Sequence, residues 1–270
     1  MQKGFILEAF LMENQKKKMN RAKIPLNSIQ RCFDRSAQSY DTVAHIQKQC
    51  AERLVRWIVA TNQAESPQTI LDIGAGTGFV TQVFQAHFPQ CYYSLNDLSP
   101  KMLQQAQTRL AQPAQQLICE DAQTFPFPQT DWIVSNFALQ WMSDWVSSIH
   151  HLFERCQLLA FTILLNGTFQ EWEQLHQLHH LPSPVPLYPS LSELQSILQD
   201  LRPNRLWIQQ DVYPIAFASP IAFARYLHLL GAQSSPFSRL SVGQSLTRSL
   251  LHQYSGLVQT TFQIAWVQMM

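Results

Sequence analysis

Between residues 70 and 164 the chain alternates short apolar runs with longer amphipathic ones. Ile70–Ile73, Cys91–Leu95, Leu117–Cys119, Trp132–Asn136 and Gln157–Leu164 are too short for helices and read as five strands. Phe79–His87, Pro100–Gln112 and Asp144–Arg155, which separate them, carry apolar residues at helical spacing. Ser99 before Pro100 is a good N-cap with proline in the first turn. Strands alternating with helices imply a parallel sheet with right-handed crossovers. Upstream, Ile29–Tyr40 is a short helical run starting near Asn27 and Ser28. Asp41–Ala60, with Val43, Ile46, Leu54, Val55 and Ile58, is a helix or a broken pair. Beyond Leu165 the rhythm changes. Phe169–His180 is helical, a proline-rich loop follows (Pro182, Pro184, Pro186, Pro189), and Ser190–Gln199 is helical again. Arg205–Phe217 alternates like a strand, Pro220–Leu230 and Ser241–Tyr254 read as helices, and Thr260–Val267 is a final strand.

The loop after the first strand carries the chemistry. Thr69–Phe79 reads T-I-L-D-I-G-A-G-T-G-F, with Asp72 just ahead of Gly74, Gly76 and Gly78. Glycines at such a turn permit positive φ and close approach of a ligand to the backbone. A nucleotide-like ligand lying across strand ends of an open sheet needs that geometry. A dinucleotide fingerprint requires glycine where Phe79 stands, which speaks against NAD. The pattern present, D-x-G-x-G-x-G, resembles the first motif of class I S-adenosylmethionine-dependent methyltransferases; the bland alternative is a glycine-rich turn with no ligand. The resemblance implies S-adenosyl-L-methionine as cofactor and an α/β, Rossmann-like, seven-stranded sheet with the last strand antiparallel. The strand count matches. N-terminal helices are additional, and the two helices between strands six and seven are expected to lie over the cleft as a lid.

Further cofactor contacts follow strands two to four. Asp97, at the end of the second strand, can accept two charge-assisted hydrogen bonds from ribose hydroxyls. Asn96 is the alternative, and an Asx cap on the next helix would also explain the pair. Past strand three, Asp121 is placed to accept from the adenine amino group, unless Glu120–Ala122 is only a surface turn. Leu98 and Ala122 complete that side. Asn136 and Phe137 are expected at the methionine end, and Gln140 and Trp141 towards the substrate. Core packing explains Phe137 and Leu139 but not the polar pair.

Composition narrows the partners. Nineteen Lys and Arg against eighteen Asp and Glu give a balance that argues against bulk nucleic-acid binding. From Leu201 onward, however, Arg202, Arg205, Arg225, Arg239 and Arg248 face Asp211 alone. That stretch suits an acidic partner, or is simply a set of solvated arginines. Five scattered cysteines without a C-x-x-C pair fit a reducing compartment. No run is apolar enough to span a bilayer, and Glu8 interrupts what would be a signal peptide, so a cytoplasmic protein is expected. Met12 and Met19 are alternative starts, and residues 1–26 read as a disordered or partly helical tail. His176, His179 and His180 share a helix face with Glu173, a metal-binding spacing that a Gln- and His-rich solvated face also produces; no metal is expected.

From about Ile29 nearly the whole chain is similar to one family, the malonyl-[acyl-carrier protein] O-methyltransferases of biotin synthesis. The resemblance lies in Phe33-Asp34-Arg35-Ser36-Ala37-Gln38-Ser39-Tyr40-Asp41 with Gln47, in the first motif, in Asp97–Leu103 and in Ser135–Trp141. It continues in Phe161–Thr168 and in Arg225-Tyr226-Leu227-His228-Leu229-Leu230-Gly231-Ala232. Asn96 departs from it, since a small apolar residue is commoner there, and the N-terminal tail has no counterpart. The resemblance implies one methyltransferase domain over 27–270: N-terminal helices (27–66), cofactor core (67–168), substrate-side elaboration and lid (169–259) and final strand (260–270). The implied partner is an acidic acyl-carrier protein bearing malonyl-phosphopantetheine, with no nucleic acid or membrane involved and a monomer as the default state. The implied product is the methyl ester that starts pimeloyl synthesis.

The residue chemistry suits that reaction. Methyl transfer from a sulfonium is an in-line displacement governed by positioning and desolvation. A carboxylate is ionised at neutral pH and needs no general base, in keeping with the lack of a recognisable catalytic dyad. A cation to orient it bidentately is wanted. Arg225 is the candidate, against an exposed helix arginine as the alternative. Tyr40 is assigned to the methyl group or the carboxylate, or else to the core, and Trp141 to the pocket wall. Competing readings are a small-acid carboxyl methyltransferase (aconitate-like), a non-catalytic scaffold, which predicts decayed glycines, and a dehydrogenase.

Overall fold

The structure, a computed structural model, describes residues 25–63, 66–180, 183, 185–232 and 256–270. The expected helix Ser241–Tyr254, the tail before residue 25, and Arg239 and Arg248 lie outside the described residues. Three helices come first, α1 (Leu26–Ser36), α2 (Tyr40–Val43) and α3 (His45–Thr61). The alternating core follows as β1 (Thr69–Ile73), α4 (Phe79–His87), β2 (Tyr92–Asn96), α5 (Pro100–Arg109), β3 (Gln116–Ile118), β4 (Thr130–Asn136), α6 (Trp145–Phe153) and β5 (Cys156–Leu164). Then come α7 (Gln170–Leu178), α8 (Leu191–Asp200), β6 (Leu206–Phe217), α9 (Pro220–Leu229) and β7 (Val258–Met269). The run Asp41–Ala60 is the broken pair, interrupted at Ala44 (φ −77°, ψ 40°). The expected caps are present: the Ser99 hydroxyl accepts from the Met102 amide, and Ser190 and Glu193 form a reciprocal capping box.

All seven strands form one sheet in the order β3-β2-β1-β4-β5-β7-β6. Strands β1 to β5 pair in parallel, and β7 runs antiparallel between β5 and β6. Successive residues of each central strand feed opposite layers, as the period of two requires. Ile70, Trp132 and Leu158 pack under α3 and α4 with Leu54, Ile58 and Phe84. Leu71, Ile133 and Leu159 pack on the other face with Ile149, Leu152 and Leu198. Fully burying each such side chain contributes about 1.5–3 kcal/mol. No helix of the described residues is long and apolar enough to cross a membrane.

The turn after α9 packs against α1. Gly231 has φ +76°, and a Cβ built there would sit 2.6 Å from Ser36 Oγ and 3.0 Å from Phe33 Cδ1. Gly231→Ala is therefore expected to destabilise the fold by about 1–3 kcal/mol, strain and crowding together. At roughly 2–4 °C per kcal/mol for a chain of this size class, thermal melting should show a drop of several degrees.

Candidate active site

Sheet order reverses between β1 and β4, and a ligand crevice is expected outside the carboxyl ends of strands at such a switch point. Register makes that edge explicit: Ile73 pairs with both Asn96 and Ser135, and Asn96 with Ile118. Gly74 and Asp97 each stand one residue beyond a strand end, and Asn136 with Phe137 closes the neighbouring one. A cavity of ≈ 850 Å³ opens there. Of the residues expected from sequence, Tyr40, Gly74, Gly76, Asp97, Leu98, Asp121, Ala122, Asn136, Phe137 and Trp141 line it.

The glycines divide their work. Gly74 (φ +63°) meets the β4 loop so closely that a Cβ would fall 2.2 Å from Ala138 Cβ. Gly76 (φ +54°) faces open space. Gly78 is not among the lining residues; it starts α4 at φ +84° and lets that helix pack on Ala106, whose Cβ would be 3.0 Å away. Asp72 is also not a lining residue. It is buried, one carboxylate oxygen accepts from Thr81 Oγ1 at 2.7 Å, and the other has no partner.

Asp97 is fixed by the backbone, accepting from the Gly76 amide at 2.9 Å and the Ser99 amide at 2.8 Å. A carboxylate has about four acceptor sites, so two stay available for a diol. The Asx cap and the ligand role are therefore compatible. Burial, opposed by these two amides, pushes its pKa up to about 6. Asn96, the departure from the family pattern, serves the structure. Its amide donates to the carbonyls of Ile118 (3.0 Å) and Glu120 (2.9 Å) and so holds the loop that presents Asp121. Asn136 is committed at both ends, donating to Gln47 O at 2.9 Å and accepting from Thr162 Oγ1 at 2.8 Å. Thr162 also accepts from the amide of Phe137, which has φ +56°. Gln140 Oε1 is buried in the wall without a partner.

The N-terminal helices form the outer wall. Leu26, Ile29 and Phe33 of α1 line the cavity, and Phe33 stands edge-on to Trp141 at 5.4 Å. Two acidic side chains bind these helices to the cofactor loops. Asp34 accepts from Ser99 Oγ at 2.6 Å. Asp41 accepts from Thr77 Oγ1 at 2.7 Å and pairs with Arg109, whose Nε donates to Thr77 O at 2.5 Å. Arg109 also lies over the Phe79 ring, 4.4 Å from its centroid. None of these tethers is evident from sequence, although Asp34 and Asp41 stand inside the N-terminal block Phe33–Asp41. Tyr40 has its pKa pushed up, chiefly by burial and then by Tyr226, Asp97 and Asp41, so its hydroxyl remains a donor at neutral pH.

Arg225 is a correction. It is exposed and absent from the cavity lining, because Phe223, Tyr226, Leu227 and Leu230, at helical spacing, form the inward face of α9 and Arg225 lies opposite. Among the described residues no lysine or arginine lines the cavity. Of the arginine-rich C-terminal stretch, Arg202 and Arg205 stand apart from the cavity. Leu206 pairs with Met269, which pairs with Leu159 near the start of β5, so Arg202 and Arg205 lie at the sheet edge remote from the cavity. His176 is buried, hydrogen-bonded through Nδ1 to Trp172 O at 2.9 Å, and no metal-holding cluster occurs among the described residues.

The lining fits S-adenosyl-L-methionine: an open Gly76 face, a carboxylate with free acceptor sites, a second carboxylate at Asp121, and the unpartnered Gln140 oxygen for a cationic donor. A methyltransferase-domain family matches residues 70–157. The malonyl-[acyl-carrier protein] O-methyltransferase of Neorickettsia risticii is 34% identical over 204 residues, covering 76% of this chain and 81% of the relative. The biotin biosynthesis bifunctional protein BioCD of Bordetella avium is 30% identical, over 91% of this chain and 52% of that protein. The plantazolicin methyltransferase BpumL, solved in complex with SAH, superposes with a TM-score of 0.55 at 14% identity, covering 94% of this chain and 98% of its own. By fold and by relatedness over most of its length, the chain belongs to the malonyl-[acyl-carrier protein] O-methyltransferase family.

Proposed function

We infer that this chain is an S-adenosyl-L-methionine-dependent carboxyl O-methyltransferase that esterifies the free carboxylate of malonyl-[acyl-carrier protein], the step that opens pimeloyl synthesis for biotin. The observation that carries the reading is the 34% identity to a named relative across 81% of its length, in a chain whose cofactor loops converge on one cavity. The cofactor supplies an electrophilic methyl group on a sulfonium. The chain's part is to bind, orient and exclude water. Asp97 and Asp121 are assigned to the ribose and adenine. Gly74 and Gly76 give close backbone approach, and Leu98, Ala122 and Phe137 supply apolar contact.

On the substrate side Tyr40 is assigned as a neutral hydrogen-bond donor to the malonyl carboxylate, with Trp141 shaping the wall. A neutral donor suits this chemistry. It orients the carboxylate without the tight ion pair that a bidentate arginine would impose on the attacking oxygen, and the sulfonium itself provides the opposite charge. Burial in a largely apolar cavity strengthens that attraction. Residues 27–270 are taken as one domain in a cytoplasmic enzyme. Methyl transfer from labelled cofactor should run fastest with malonyl-carrier protein, more slowly with malonyl-coenzyme A, and negligibly with free aconitate. Preference for aconitate would overturn the substrate assignment while leaving the cofactor assignment standing.

A further inference from the structure

The described arginines after Leu201 do not share one surface. Arg202 and Arg205 sit at the far edge of the sheet. Two other arginines, Arg31 and Arg35, lie one helical turn apart on α1, both exposed. The opposite face of that helix carries Ile29 and Phe33 into the cavity. Neither arginine makes an ion pair with an acidic side chain among the described residues. Asp34, between them, is turned inward onto Ser99. Pro25 and Leu26, at the start of α1, are both exposed and part of the lining, which puts the cavity mouth at that helix. On the adjoining side α9 and the turn after it contribute Leu227 and Leu230 to the lining, that turn meets α1 at Gly231, and Arg225 is exposed on the outer face of the helix.

We propose that the outward faces of α1 and α9, through Arg31, Arg35 and Arg225, are the docking surface for the acidic carrier protein, which delivers its acyl arm through the mouth beside Leu26. The proposal rests on the carrier-bound substrate reading above. Charge complementarity at a rim acts on encounter and orientation more than on chemistry, and is screened by salt. A short substrate that lacks the carrier should not sense these residues at all.

The test is steady-state kinetics with two substrates, malonyl-carrier protein and the malonyl thioester of N-acetylcysteamine, whose tail is uncharged. Arg31→Glu with Arg35→Glu should raise KM for the carrier at least tenfold, and adding Arg225→Glu should raise it further. The small thioester should keep its kcat and KM within twofold, which also shows that the variants fold and bind cofactor. Arg202→Glu with Arg205→Glu should leave both substrates unaffected. Raising the salt concentration should weaken the carrier reaction of the unmodified enzyme and erase most of its advantage over the variants. An unchanged carrier KM in the α1 variant, or equal losses on both substrates, would overturn the docking surface. So would a carrier-specific loss in the Arg202/Arg205 variant. If the unmodified enzyme methylated neither malonyl thioester, the substrate reading itself would fall, which is a distinguishable result.

Discussion

Asp97→Ala is expected to weaken S-adenosyl-L-methionine binding about a hundred- to a thousandfold, measured by calorimetric titration. Two hydrogen bonds to a charged acceptor contribute roughly 1.5–3 kcal/mol each, and about 1.4 kcal/mol is a factor of ten; partial replacement by water moderates the sum. The substitution also frees the Gly76 and Ser99 amides, so Asp97→Asn, which retains one acceptor, should lose less. The stronger discriminator is pH. Burial pushes the pKa of Asp97 up to about 6 and that of Asp72 to about 7, from an ordinary carboxylate value near 4. For a carboxyl group raised in this way, the contribution to folding stability is fully present below the unfolded value and is lost as pH rises through the folded one. The ligand-free protein therefore loses stability from these two groups between about pH 4 and 7. Cofactor affinity should move the other way, because the diol needs an ionised acceptor: below about pH 6 it should fall towards tenfold per unit. Asp97→Asn should flatten that fall. An affinity independent of pH from 5 to 7 in the unmodified protein would remove Asp97 from the role.

What the sequence discloses and what it hides follow the range of the interactions concerned. The strands of the core, the Ser99 and Ser190 caps and the glycine turn are local, set by a period of two, a hydroxyl three residues from an amide, or a missing Cβ. The line-up of Gly74, Asp97 and Asn136 on one edge follows as soon as those strands run parallel. Arg225 is misplaced by the chemistry of the substrate alone although a usable signal exists: Phe223, Tyr226, Leu227 and Leu230 mark the inward stripe of α9 and exclude it. Arg202 and Arg205 cannot be placed by composition, because their distance from the cavity depends on the direction of β6 within the sheet. The roles of Asn96 and Thr162 stay hidden for a similar reason. Each bonds the backbone or side chain of a neighbouring strand or its loop, and such pairs are defined only by register.

Asp41→Ala should produce the second large effect, at a residue outside the cavity lining. Its carboxylate joins α2 to Thr77 in the glycine loop and to Arg109 at the end of α5. With it gone, the Arg109 side chain, only 18% exposed, keeps just the Thr77 carbonyl and the Phe79 ring as partners. Removing one partner of a buried pair costs about 3–5 kcal/mol. Asp41 is itself 40% exposed, so solvent screening should reduce this to roughly 1–2 kcal/mol. Most of that loss should fall on the glycine loop and the helices strapped over it, since the central strands lie in separate contacts. The expected result is a rise of about tenfold in KM for S-adenosyl-L-methionine, with kcat at saturating cofactor nearly unchanged. Arg109→Lys should behave similarly but more mildly, keeping the charge and losing the planar fork that reaches Asp41 and Thr77 together. Hydrogen exchange separates this from general destabilisation. Residues 26–43 should exchange faster in Asp41→Ala and be protected less by cofactor, while the amides of β1, β4 and β5 stay as slow as before. Uniformly faster exchange, or a fall in kcat with KM unchanged, would assign Asp41 to global stability or to catalysis instead of to the closure of the N-terminal helices over the cofactor loops.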